Sequence, residues 1–321
     1  MKAYILAAGK GTRLRPLTDQ LAKPMIPLMN RPLVSFLLAH LRPHISHARF
    51  NVACNKQSFI RYLQGLKGVS FLDEGTDPLG SAVTLSQDRD YCKQGTTLVL
   101  CGDLLCNADI KAMIRFHEQK QALVTLAVCR VPDARSYGVV VTAEDQRILG
   151  FYEKPATPPS SFISCGIYLL SPQVFDYWQP EWTDLGSHVF PSLVALNLPL
   201  YAWLLDPLAF WSDIGTPLTY LQAHLALAAG VNHIDATAQV AATARLQQTV
   251  VGATAIIQPG VELQQCVVWP GSKVAQGTRL CNAIITPTDI VEVTSLRSGD
   301  SMNLISNQPL RPLPQSLRTS V

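Results

Sequence analysis

The stretch MKAYILAAGKGTRLRPLTDQLAKPMIPLMNRP, residues 1–32, decides how this chain is read. An apolar run, Ala3 to Leu6, reads as a strand and leads into a loop of small residues, Ala7-Ala8-Gly9-Lys10-Gly11-Thr12-Arg13. Gly9 and Gly11 carry no side chain, so backbone N–H groups of the loop can approach a polyphosphate closely. Arg13 offers phosphate a planar fork, and Lys23, ten residues on, a point charge. A tight strand-to-helix turn with two surface cations is the competing reading of the loop by itself. Two other glycine-loop readings fail on spacing. The dinucleotide fingerprint would need its third glycine where Leu14 stands, and no Gly-Lys-Ser/Thr follows at Walker spacing.

Working outward, short apolar runs alternate with amphipathic stretches as far as residue 229. Strands are expected at 2–7, 49–53, 69–72, 97–101, 123–130, 138–142, 162–170 and 200–205. Helices are expected at 32–43, 56–64, 80–88, 109–119, 172–177, 187–196 and 216–229, with Pro32 in the first turn of the earliest. Such alternation predicts an α/β layered domain around a mostly parallel sheet. Ligands bind such sheets beyond the carboxyl ends of the strands, where the Gly9–Arg13 loop would lie.

After Gly230 the period changes. Apolar residues fall at Ile234, Val240, Leu246, Val251, Ile257, Leu263, Val268, Val274, Leu280 and Ile285, in steps of six, six and five. Ile234, Val251, Val268 and Ile285 are therefore seventeen residues apart. A three-sided coil with one inward residue per side predicts this pattern, with Gly252, Gly260, Gly271 and Gly277 near corners. An antiparallel sandwich is the alternative. Residues 289–293 read as a possible last strand, and open coil ends call for a cap or a partner subunit. The division expected is 1–229, then 230–293 with about three coils, then a flexible tail, 294–321.

Composition narrows the function classes. Of 321 residues, 48% are apolar and 15% charged, with no apolar run of the eighteen or so residues that span a bilayer. Net charge is +3, and Arg297, Arg311 and Arg318 against Asp300 place two of those charges in the last twenty-five residues. No basic stripe is left to follow a nucleic-acid backbone. Eight scattered cysteines without a C-x-x-C pair predict buried thiols in a reduced, cytoplasmic setting, and a strand starting at Lys2 argues against a signal peptide.

Gly9, Gly11, Thr12, Arg13, Leu14, Pro16, Leu17, Thr18, Lys23, Pro24 and Met25 together form a pattern that resembles the sugar-1-phosphate nucleotidylyltransferases. The resemblance implies a Rossmann-like layered catalytic domain. It also implies transfer of a nucleotidyl group from an NTP to a sugar-1-phosphate, with Mg²⁺ and release of pyrophosphate. In that family a metal-binding Asp follows a strand such as Thr97–Cys101, which is matched by Gly102-Asp103. Trp211-Ser212-Asp213-Ile214-Gly215-Thr216-Pro217 resembles the segment that carries the second metal-binding Asp. Read singly, either aspartate is a turn or helix-cap residue. Tyr137-Gly138-Val139 and Glu153-Lys154-Pro155 resemble the sugar-phosphate motifs, which implies Glu153 on sugar hydroxyls, Lys154 on the sugar phosphate and Gly138 against the sugar.

Ser164-Cys165-Gly166-Ile167-Tyr168 stands where the family has N-A-G-I-Y, keeping Gly166 and changing the two residues before it. Asp77-Pro78-Leu79-Gly80-Ser81-Ala82-Val83 stands where relatives show P-L-G-T-A-G, implying that Gly80 and Ser81 join Ala7, Ala8, Gly9, Gly11, Thr12, Arg13 and Lys23 in nucleotide binding. The residues after 230 are similar to a left-handed hexapeptide β-helix. A catalytic core followed by a short β-helix is most like the mannose-1-phosphate guanylyltransferases, implying a GDP-mannose-like product and a homo-oligomer through the β-helix. Uridylyl or thymidylyl transfer to glucose-1-phosphate stays open, as does a non-catalytic nucleotide-sugar sensor.

Overall fold

The computed structural model describes residues 1–293, so the expected tail, 294–321, lies outside the described residues. Nine strands form one sheet. From one edge they run Ile148–Glu153, Gly138–Thr142, Phe162–Leu170, Thr97–Cys101, Lys2–Leu6, His47–Val52 and Val69–Asp73. Val124–Arg130 also pairs with Phe162–Leu170, and Leu200–Leu204 pairs with Val124–Arg130. The four strands from Thr97–Cys101 to Val69–Asp73 are parallel, whereas Phe162–Leu170 lies antiparallel to Thr97–Cys101. Ala3 and Ile5 pack into one core layer and Tyr4 into the other, so strand Lys2–Leu6 is buried on both faces. That is why it reads as a continuous apolar run rather than an alternating one.

Most expected elements form within a residue or two. The helix expected at 187–196 is an α-helix only over Phe190–Ala195, preceded by a π-helical turn, Leu185–Val189. The segment expected as a helix at 172–177 is a 3-10 turn, Pro172–Asp176. Strand Ile148–Glu153 is absent from the sequence reading because its register shifts between Ile148 and Gly150, which breaks the alternation. All eight cysteines are free thiols. No helix among the described residues is long and apolar enough to cross a membrane.

Beyond Gly230 three parallel ladders close a β-helix. Ile234, Val251, Val268 and Ile285 are in register on one side, Val240, Ile257 and Val274 on the second, Leu246, Leu263 and Leu280 on the third. The seventeen-residue spacing is therefore one coil. Its repeated apolar pairs have two tasks. Val251, Val268 and Ile285 fill the coil interior, while their neighbours Val250, Val267 and Ile284 pack against Tyr220 and Leu221 of helix Pro217–Ala228. Strand Ile290–Glu292 folds back antiparallel on Ala283–Ile285 and ends that ladder.

Candidate active site

The glycine loop begins where strand Lys2–Leu6 ends, between two parallel neighbours. On one side Asn51 accepts the Ala7 N–H through its Oδ1 at 2.6 Å. On the other, the Gly102 N–H donates to the Leu6 carbonyl at 2.8 Å, and a β-carbon on Gly102 would press on Ala7 at 3.0 Å. Glycine before Asp103 thus lets the two strand ends close up, which brings Asp103 beside the loop. Gly11 has φ +62, and a β-carbon there would meet Thr18 Cγ2 at 3.0 Å and Lys23 Cβ at 3.4 Å. The Thr18 hydroxyl donates to the Gly11 carbonyl at 2.8 Å, folding the segment that carries Lys23 back onto the loop. Gly9, by contrast, has nothing within 4 Å of where its β-carbon would be.

Asp213 is brought in by a short antiparallel pair, Leu104–Cys106 with Trp211–Asp213, in which Leu104 faces Asp213. The Ile214 N–H donates to the Asp103 carbonyl at 2.9 Å, and the Trp211 indole donates to the Cys165 carbonyl at 2.9 Å. Lys23 forms an ion pair with Asp103 in which both side chains are mostly buried. A β-carbon on Gly215 would lie 3.0 Å from Asp213 Oδ2 and 3.2 Å from an Arg13 guanidinium nitrogen, so these groups crowd one point. Burial pushes the Asp213 carboxyl up; the Asp103 charge adds to this, and Lys23 and Arg13 oppose it. Two carboxylates and two cations share one electrostatic neighbourhood.

Two adjoining recesses meet there. One, of about 230 Å³, is lined by Gly9, Gly11, Thr12, Arg13, Lys23 and Asp103. The other, of about 430 Å³, extends from Gly9, Arg13 and Asp103 past Asp213 to Glu153 and Lys154. Arg13 and Asp103 border both. Gly80, Ser81, Gly138 and Gly166 line the larger recess, and Ala8 lines it near the loop.

Several details add to the sequence reading. Gly138 is glycine because a β-carbon would fall 2.4 Å from the Phe151 ring and 3.1 Å from Glu153 Oε2, whatever else it faces. Lys154 has φ +45 and its ammonium pairs with its neighbour Glu153 at 2.7 Å. The Ser164-Cys165-Gly166 change sits in an irregularity of its strand, where register shifts between Ser164 and Tyr168 and Gly166 packs against Cys101. Ser164 Oγ donates to Tyr168 Oη at 3.2 Å. Asn51, Tyr137 and Asp184 are among the lining residues that the sequence gives no role. Tyr137 donates its hydroxyl to Asp213 at 3.4 Å. Asp184 accepts the Gly186 and Ser187 N–H groups, each at 2.9 Å. An Asp two residues before a glycine was the available signal for Asp184, and a lone amide inside the apolar run Phe50-Asn51-Val52 for Asn51.

A family model described as nucleotidyl transferase matches residues 2–230. A UTP–glucose-1-phosphate uridylyltransferase of Synechocystis sp. is 38% identical over 244 residues, covering 70% of this chain and 62% of that protein. A probable mannose-1-phosphate guanylyltransferase 1 of Oryza sativa is 33% identical over 231 residues, covering 69% and 63%. A mannose-1-phosphate guanylyltransferase of Mycobacterium tuberculosis is 31% identical over 237 residues, covering 71% and 65%. The chain spans a little under two thirds of the length of these relatives. With the loop, the paired aspartates and a family match that runs from the first strand to the end of helix Pro217–Ala228, the chain belongs to the nucleotidyl transferase family.

Proposed function

We propose that the chain transfers a nucleotidyl group from an NTP to a sugar-1-phosphate, releasing pyrophosphate. The observation that carries this is the convergence of Arg13, Lys23, Asp103 and Asp213 where the two recesses meet. A phosphate oxygen of the sugar phosphate attacks the α-phosphorus; a new P–O bond forms and the bond to the bridging oxygen of the pyrophosphate breaks. The attacker is already an anion, so no general base is needed. What the site must do is hold two anions in line and neutralise the departing charge. Ala7, Ala8, Gly9, Gly11 and Thr12 cradle the phosphates, Arg13 and Lys23 neutralise them, and Gly80 and Ser81 border the base. Glu153 holds sugar hydroxyls, Lys154 the sugar phosphate, and Gly138 and Gly166 shape that end.

Asp103 and Asp213 fit Mg²⁺. They offer hard oxygen donors, and the Asp213 carboxyl is pushed up by burial first and by the Asp103 charge second, which a bound cation would oppose. No group of three or more His, Cys, Asp and Glu gathers among the described residues, so phosphate and water oxygens would complete the shell. Bound Mg²⁺ would supply charge neutralisation at the phosphates.

For the product, a GDP-mannose-like sugar nucleotide is the first reading, supported by the succession of catalytic core and short β-helix and by the guanylyltransferases among the relatives. A second reading, UDP-glucose, is favoured by the 38% identity to the uridylyltransferase. Residues 1–229 carry the chemistry and 230–293 assembly. The first coil leaves Ile234 exposed at the end opposite strand Ile290–Glu292, and a second copy would dock there. The free thiols suit a cytoplasmic protein. The test is a pyrophosphate-release screen that crosses four NTPs with a panel of sugar-1-phosphates. Turnover of one pair supports the reading, and silence across the panel shifts it to a nucleotide-sugar sensor.

A further inference from the structure

We infer that Ser81 and Asp184 form a joint between the nucleotide and sugar halves of the cleft, so that a bound nucleotide sets the geometry of the sugar subsite. The inference rests on the nucleotidyl-transfer reading above and adds a positioning role to a residue outside the reacting groups.

Two segments more than a hundred residues apart are zipped together here. The Ala82 N–H donates to the Thr183 carbonyl at 3.1 Å. The Ser81 hydroxyl donates to Asp184 Oδ2 at 2.8 Å and accepts the Leu185 N–H at 2.8 Å. Gly80, with φ +100, lies so close that a β-carbon would stand 2.4 Å from the Thr183 carbonyl oxygen. Asp184 divides its carboxylate between the two halves. Oδ2 holds Ser81, while Oδ1 accepts the Gly186 and Ser187 N–H groups at 2.9 Å each and so fixes the turn Leu185–Val189.

That turn in turn limits Glu153. A β-carbon on Gly186 would lie 2.4 Å from Glu153 Oε2, so backbone and carboxylate are in close contact there. Gly80, Ser81, Asp184, Gly186 and Glu153 all line the same 430 Å³ recess. A base resting on Gly80 and Ser81 restrains the segment that grips Asp184, Asp184 restrains Gly186, and Gly186 restrains the carboxylate that meets the sugar. A helix-capping aspartate alone needs only the bonds through Oδ1. The bonds through Ser81 are what make it a joint, and coupling of this kind is reciprocal between the ligands it joins.

The test compares the affinity of mannose-1-phosphate and glucose-1-phosphate with and without α,β-methylene GTP or UTP, by calorimetry on the full chain. In the wild type the analogue should tighten sugar-phosphate binding by about 5-fold or more. Ser81→Ala and Asp184→Ala should bring that factor close to 1, and Ser81→Thr, which keeps the hydroxyl, should retain it. In turnover the sugar-phosphate KM should rise more than the NTP KM while kcat changes least. If Asp184→Ala does not fold, Ser81→Ala decides, because it leaves the turn capped. Wild-type coupling that persists in both alanine variants, or is absent from the wild type, overturns the inference even with turnover intact. Failure of both analogues to bind would instead overturn the functional reading, and this one with it.

Discussion

Trp269 of the β-helix donates its indole N–H to the hydroxyl of Tyr220 at 2.9 Å, and the Tyr220 hydroxyl donates in turn to the Pro27 carbonyl. Both rings are buried. Three parts of the chain are pinned by this one chain of bonds: the second module, the helix after Asp213, and the segment after Lys23. Tyr220→Phe leaves the Trp269 indole unpaired and the Pro27 carbonyl with His224 Nε2 alone, and should cost about 1–3 kcal/mol of stability. Trp269→Ala also opens a cavity and should cost about 3–5 kcal/mol. Denaturant unfolding measures both. Deleting residues 231–321 uncovers the apolar face around Tyr220 and Leu221, so size-exclusion chromatography should show aggregation before chemistry is lost.

Gly9 and Gly11 should respond differently to alanine. At Gly11 the left-handed φ and the contact with Thr18 make Gly11→Ala destabilising by about 1 kcal/mol or more, and the displaced loop should weaken NTP use. Gly9→Ala has nothing to strike in the protein, so its melting temperature should stay near wild type. Gly9 lines the 230 Å³ recess, so on the proposed reading the added methyl group should raise the NTP KM. Paired melting curves and kinetics separate the two.

Lys154→Ala should raise the sugar-phosphate KM about 10-fold or more, the effect of losing a hydrogen bond to a charged group, and leave the NTP KM nearly unchanged. Equal effects on both constants would place Lys154 elsewhere in the reaction.

Two buried histidines set an acid limit on stability. His117 lies between the hydroxyls of Thr125 and Ser171. Because Ser171 already donates to the Ala122 carbonyl, it accepts from Nε2–H, and Nδ1 accepts from Thr125. Burial holds His117 down at about 4 and His224 at about 3, against an ordinary value of 6.5. The unfolded chain therefore takes up these protons first as pH falls. Stability is full above about pH 6.5 and declines from there toward 4, by up to about 3 kcal/mol for His117. Unfolding of His117→Gln over this range should show a shallower decline.

How legible the molecule was depended on how far apart the contributing residues lie. The β-helix could be read because Ile234, Val251, Val268 and Ile285 record a coil in a single spacing, and register confirms it. The second residue of each apolar pair could not be assigned, since Val250, Val267 and Ile284 are explained only by a helix that precedes them in the chain. The glycine loop, Asp103 and Asp213 are carried by local motifs, and the structure gathers them. Asp184 is not legible in the sequence, because its contact with Ser81 joins residues that lie far apart in the chain. Gly138 was noticed for its motif, but its reason lies across a hairpin in Phe151 and Glu153.

Asp103→Asn and Asp213→Asn test the central claim most directly, because each removes one charge and keeps its side chain's shape. Steady-state pyrophosphate release, with circular dichroism to confirm folding, is the measurement. The account predicts a loss of about two or more orders of magnitude in turnover for each folded variant. Two folded variants with wild-type turnover would contradict it.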